Sequence, residues 1–133
     1  MIRAVLTRIA AIAALLITAL ATLTTPSTAA ADPICTAQAD YPYWDSPYVF
    51  ADGAVWCDED ATVAIQVRLT RDGATVDSTY RECLNRNECS ASTYGRNVAG
   101  NQVWCTHTFM WINGVSYPPV RACETAGWSP AAA

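Results

Sequence analysis

Apolar and polar side chains alternate with a period of two along much of the chain. The clearest case is Val63, Ile65, Val67 and Leu69, interleaved with Ala64, Gln66, Arg68 and Thr70. That spacing puts one row of side chains on each face of a half-buried strand. Asp72-Gly73 follows, a dipeptide suited to the positive φ angles of a two-residue hairpin turn. Residues 75–83 then alternate again. A tight turn there would set Leu69 opposite Val76, Ile65 opposite Tyr80 and Arg68 opposite Asp77, so that like meets like and opposite charges meet. A third strand is expected over residues 89–94, followed by a loop carrying Gly95, Asn97, Gly100 and Asn101. Residues 103–112 are β-branched, aromatic and alternating. Asn113-Gly114 is a second hairpin signal. Residues 115–123 return, with Pro118-Pro119 marking an edge or a break.

The segment before Ala54 is less regular. Pro33, Pro42 and Pro47 interrupt Tyr41, Tyr43, Trp44, Tyr48 and Phe50, which predicts loop with one or two short strands. No stretch after residue 31 carries a period of 3.6. Several short strands separated by turn signals predict an all-β fold, a small antiparallel β-sandwich of immunoglobulin-like type.

The first residues follow a different pattern. Arg3 and Arg8 precede a run over residues 9–23 in which every position is apolar or Thr, and Ala29-Ala30-Ala31 follows a break at Pro26. A positive start, an apolar stretch and a small-residue cleavage site describe a signal peptide. The expected organisation is a signal peptide at 1–31 and one disulfide-linked domain at 32–133, secreted to the extracellular space. The apolar run is short for a spanning helix, so no membrane association is expected after cleavage.

Removing the leader changes the charge picture. All 12 acidic residues lie beyond it, against six arginines and no lysine. An acidic domain of this kind does not suit nucleic acid, whose phosphates are held mainly by Lys and Arg.

Six cysteines lie beyond the leader: Cys35, Cys57, Cys83, Cys89, Cys105 and Cys123. An even count in a short exported chain reads as a disulfide framework. There is no Cys-x-x-Cys pair, and the single histidine, His107, follows Cys105 by two residues, so neither a metal nor a cofactor is expected. The short polar stretch Leu84-Asn85-Arg86-Asn87-Glu88 points to a Cys83-Cys89 bond. Val55-Trp56-Cys57 is echoed in Val103-Trp104-Cys105.

The leader, the strand ahead of Arg71-Asp72-Gly73, and the spacing of Cys57, Cys83, Cys89 and Cys105 resemble short exported actinomycete proteins of unassigned function. The resemblance covers residues 54–105. It implies a β-sandwich and no particular activity. A Cys57-Cys105 bond across opposed sheets would look like the immunoglobulin inter-sheet bond, and Cys35-Cys123 would then join the two ends. Strict register in the second hairpin sets Cys105 opposite Ala122, against a Cys105-Cys123 bond. A bulge near the prolines would remove that objection.

Candidate chemistry is sparse. On a strand His107 shares a face with Cys105, Phe109 and Trp111, without a placed partner for base catalysis. No Gly-x-Ser-x-Gly turn accompanies Ser90, Ser92 or Ser116. Asp58-Glu59-Asp60 reads as a solvated charge run. The aromatic residues are the better lead. Trp56, Trp104 and Trp111 sit in strand patterns and are expected in the core. Tyr41, Tyr43, Trp44 and Trp128 lie in irregular segments and are the expected ligand-binding residues, because exposed Trp and Tyr offer stiff contact area to a protein or a sugar. The expectation is therefore a secreted, non-catalytic binding or interaction module for a protein partner, with inhibition of that partner as one role. Its alternatives are a carbohydrate-binding module and, last, a small hydrolase.

Overall fold

A computed structural model describes residues 31–128, with side chains to residue 126. The leader expected at 1–31 lies outside the described residues apart from Ala31. Six strands follow in order: β1 (Cys35–Ala39), β2 (Tyr43–Asp45), β3 (Tyr48–Arg71), β4 (Ala74–Arg96), β5 (Gly100–Ile112) and β6 (Val115–Trp128). All pairings are antiparallel and all belong to one sheet. The all-β class is as the alternation predicts. Instead of two sheets facing each other as in an immunoglobulin sandwich, a single sheet curls into a half-barrel.

The curl comes from the length of β3 and β4, 24 and 23 residues. Such a long hairpin cannot stay flat and still bury one face. It bends where the β3–β4 register shifts, between Trp56 and Val63. Asp58, Glu59 and Asp60 occupy that corner, all exposed. Charged side chains there keep the bulged backbone in water, and bulges sharpen a strand's bend. Before the corner, β3 pairs with β1, β2 and the second part of β4. After it, β3 pairs with β5 and the first part of β4, and β6 flanks β5. We call these portions the first and second halves.

Both hairpin turns form where Asp72-Gly73 and Asn113-Gly114 predict them. All four residues have positive φ (49°, 83°, 49° and 82°), the conformation that matches strand twist. Each turn is tied to a neighbouring strand. Asp72 N donates to Val103 O at 2.8 Å, and Val103 N donates to Asp72 Oδ1 at 2.9 Å. Asn113 N donates to Thr62 O at 2.8 Å, and Thr62 N donates to Asn113 Oδ1 at 3.1 Å.

The registers beyond the turns differ from simple extrapolation. Thr70 pairs with Thr75, but Leu69 pairs with Asp77, Arg68 with Ser78 and Ile65 with Arg81. Val76 is an extra residue that bulges toward the core, beside Gly95. In the second hairpin, Met110 pairs with Tyr117 and Thr108 with Val120, so one extra residue is absorbed at Pro118-Pro119. Proline lacks the N–H that a regular ladder needs, and a bulge accommodates it. That slip of one brings Cys123 opposite Cys105.

The disulfides follow from these registers. Cys83-Cys89 is present as expected, although residues 84–88 are not a loop and 89–94 are not a separate strand: both lie within β4. The other two expected bonds, Cys57-Cys105 and Cys35-Cys123, are not formed. Cys35 bonds Cys57 and Cys105 bonds Cys123 instead, each across a directly paired position with Cα atoms 4.0 Å apart. Two cysteines on facing positions of adjacent strands are already within bonding reach, so no bond crosses between sheets.

The core lies inside the curl. Val49, Ala51 and Val55 from the first half meet Val63, Ile65, Val67, Leu69, Trp104, Met110 and Ile112 from the second. Burying each of the larger aliphatic side chains contributes roughly 1.5–3 kcal/mol. The approach is closest at Gly53, where a Cβ would collide with Thr108 and would stand 2.7 Å from a Val67 methyl. Thr93 Oγ1 donates to Asp77 Oδ2 at 2.8 Å, joining the two parts of β4 across the fold.

Candidate functional site

The outer side of the first half carries a row of rings. Register sets Tyr43 of β2 opposite Phe50 of β3, and Phe50 opposite Tyr94 of β4. Ring centroids are 5.3 Å apart in the first pair, nearly parallel at 12°, and 5.5 Å apart in the second, tilted by 33°. Tyr48, two residues before Phe50 and on its face, meets Tyr94 edge-on at 5.5 Å and 83°. Cross-strand aromatic pairs of this kind stabilise a sheet and prefer offset or edge-to-face contacts. Tyr43 and Tyr94 are still 45% and 55% exposed.

One register step along, Asp52 lies opposite Ser92, and the Ser92 hydroxyl donates to Asp52 Oδ1. Asp52 and Asp45 give the cluster an acidic rim, and Arg96 stands opposite Tyr48. The Tyr43 hydroxyl is pushed above its ordinary value, first by burial among its neighbours, then by the Asp52 charge and a hydrogen bond to Asp52, and last by Asp45. At neutral pH it is a donor, and the face can offer both hydroxyls and carboxylates to a partner.

The four residues expected to bind ligand do not converge. Tyr41 is exposed just ahead of β2. Tyr43 belongs to the ring cluster. Trp44 points to the opposite side of β2 and packs on the core, because neighbouring strand residues face opposite ways. The Trp128 backbone pairs with Gly100, and its side chain lies outside the described residues. Tyr48, Phe50 and Tyr94 complete the cluster instead. The spacing of Tyr48 and Phe50 hinted at a shared face. Tyr94 lies 44 positions beyond Phe50, and only the register across the corner brings them together.

The tryptophans divide differently than expected. Trp104 is fully buried and Trp111 half-buried, but Trp56 is 41% exposed. It lies on the outer face at the same register as Thr36 and Glu88. His107 does share a face with Cys105, Phe109 and Trp111. Its Nε2 is 3.0 Å from Thr70 Oγ1, and its ring stacks on Phe109 at 6.5 Å. Burial lowers its pKa, with Arg121 and Arg68 adding to the effect. Asp58, in the acidic run, accepts a hydrogen bond from Ile34 N through Oδ1 at 2.8 Å.

No family model and no curated protein matches this chain.

Proposed function

We propose that the chain is a secreted, non-catalytic binding module that docks a protein partner through the rings of Tyr43, Tyr48, Phe50 and Tyr94. The observation that carries this reading is the exposure of Tyr43, Tyr48 and Tyr94 packed around a half-buried Phe50 on paired strands. Rings held by a sheet lose little freedom on binding, and exposed Tyr clusters rimmed by polar groups match the hot spots of protein interfaces. Their orientations support a protein over a neutral polysaccharide. Tyr48 stands nearly perpendicular to Tyr94, and Trp44 faces inward, so the Tyr41, Tyr43, Trp44 stretch offers no line of coplanar faces for successive sugar rings. The acidic rim favours a partner surface carrying Arg or Lys. His107 is hydrogen-bonded to Thr70 and flanked by Arg68 and Arg121, and among the described residues no carboxylate pairs with it to orient a general base.

The test is retention of exported proteins from the producing culture on the immobilised, oxidised domain. Tyr94→Ala should weaken capture of the specific partner about tenfold or more, as expected for a hot-spot ring. A Tyr117→Ala control on β6 should leave it unchanged. Equal retention by Tyr94→Ala and the wild type would remove the ring cluster as the docking face.

A further inference from the structure

The outer side of the second half carries a different set of groups. Across β4, β3, β5 and β6, register places Ser78, Arg68, His107 and Arg121 in one line. Arg68 therefore has Ser78 and His107 as its cross-strand neighbours, and His107 has Arg68 and Arg121. No carboxylate stands in the line, although acidic residues outnumber arginines two to one beyond the leader. Arg68 and Arg121 flank His107, which burial and then the two arginines hold toward its neutral form. A row left uncompensated on an acidic domain is a ready seat for an anion, and Arg is the side chain that grips a carboxylate with two parallel hydrogen bonds.

Rings lie next to the cations. Arg68 sits over the Phe109 ring, 4.7 Å from its centroid, and His107 stacks on the same ring. One step further, Tyr80 and Trp111 meet at 6.1 Å with their planes 60° apart. Ala64 lies between their strands, opposite both Glu82 and Trp111. Its small side chain leaves a shallow depression of about 300 Å³, lined by Thr62, Ala64, Tyr80, Glu82, Trp111 and Gly114. That volume is at the small end of ligand sites and suits a single ring of a chain molecule. A ligand that fits both parts has a ring with an apolar face and a carboxylate within one or two residues along its chain.

We propose that this face binds a carboxylated saccharide chain, with a sugar ring in the Tyr80 and Trp111 depression and a uronate carboxylate on the Arg68, His107, Arg121 row. The site stands on its own, apart from the first-half ring cluster and its protein partner. His107 is faced by Arg68 and Thr70 from β3 and by Arg121 from β6, with Cys105 and Phe109 on its own strand. A carboxylate arriving there would offset the two arginines and favour the imidazolium.

Titration of the secreted, oxidised protein with tetragalacturonate tests this. Calorimetry gives the affinity, and the His107 ring signals report the site. The expected result is binding that weakens about tenfold or more when the oligomer is fully methyl-esterified, because the charge-assisted bonds are lost. Arg121→Gln and Tyr80→Ala should each weaken binding several-fold, and both positions are exposed enough to leave folding intact. The His107 pKa should rise on binding. Tyr94→Ala should bind the saccharide unchanged, which separates this site from the protein-docking face. Three results overturn the proposal: equal affinity for the esterified oligomer, wild-type affinity in Arg121→Gln, or an octaglutamate peptide binding as tightly as the saccharide. The last would make the face a site for acidic peptides.

Discussion

The two halves of the long hairpin are built on the same strands yet use their faces differently. Inside, the first half presents small residues: Ala51, Gly53, Val55, Ala91 and Gly95. The second presents large ones: Ile65, Leu69, Trp104, Met110 and Ile112. Small opposite large lets the layers interlock at native density. Outside, the first half carries rings rimmed by Asp45 and Asp52, and the second carries rings crossed by Arg68, His107 and Arg121. Inner faces are constrained by each other, so their composition is explained by packing. Outer faces have no such constraint within the chain. Their aromatic content costs exposed apolar surface, with carboxylates and Arg96 beside the first set of rings and two arginines and Glu82 beside the second.

Each half carries its own cross-strand disulfide. Cys35-Cys57 ties β1 to β3 in the first half, and Cys105-Cys123 ties β5 to β6 in the second. Their loops are similar, with separations of 22 and 18. Replacing either pair with serines should therefore cost about 3 kcal/mol, and replacing Cys83 and Cys89, separated by 6, about 2 kcal/mol. Denaturant unfolding measures each loss. Equal costs with one cooperative transition would mean that the halves fold together. A transition split in only one variant would show that half to be the less self-sufficient.

A smaller effect probes the contact between the halves. Gly53→Ala places a methyl group against the side chains of Thr108 and Val67, both fully buried on paired strands. The loss should be about 1–3 kcal/mol, the usual cost of overpacking. Gly73→Ala tests the opposite situation. A Cβ there meets nothing within 4 Å, and only the φ of 83° resists it. If thermal unfolding ranks Gly73→Ala as the worse of the two, the halves are packed less tightly at Gly53 than the contact distances require.

Much of this fold is legible in the chain, and the gaps have physical causes. Alternation identifies only the second part of β3, since the part over residues 48–53 reads as irregular, and Asp72-Gly73 and Asn113-Gly114 locate both turns, because these signals are local. The error begins at the first bulge. Val76 and the Pro118-Pro119 pair each add one residue, and a single slip changes every partner beyond it. The Cys105-Cys123 bond depends on that slip, and Cys35-Cys57 depends on β1 pairing with β3, a contact that no local pattern announces. The same limit hides the ring cluster. Tyr43 stood out as an aromatic in an irregular segment, but its partners Phe50 and Tyr94 are supplied by cross-strand register. Trp56 was expected in the core because tryptophan in a strand usually is. Its neighbour Cys57 takes the inner position, and alternation turns the indole outward.

The smallest expected effect sets the two outer faces against each other through pH. His107 on the second half and Tyr43 on the first are both shifted toward their neutral forms, His107 downward and Tyr43 upward. The neutral form is the deprotonated one for histidine and the protonated one for tyrosine, so the consequences fall at opposite ends of the scale. As pH drops through about 6.5, the unfolded chain takes up a proton at His107 that the folded chain resists, and stability falls. As pH rises through about 10, the unfolded chain releases the Tyr43 proton that the folded chain retains, and stability falls again. Denaturation midpoints measured across this range should show both limbs. His107→Gln should flatten the limb between pH 7 and 5 and leave the alkaline one alone. Tyr43→Phe should do the reverse. If His107→Gln leaves the acid limb intact, the histidine ring is protonated as easily in the fold as in water. Neither burial nor the two arginines would then hold the ring in its neutral form.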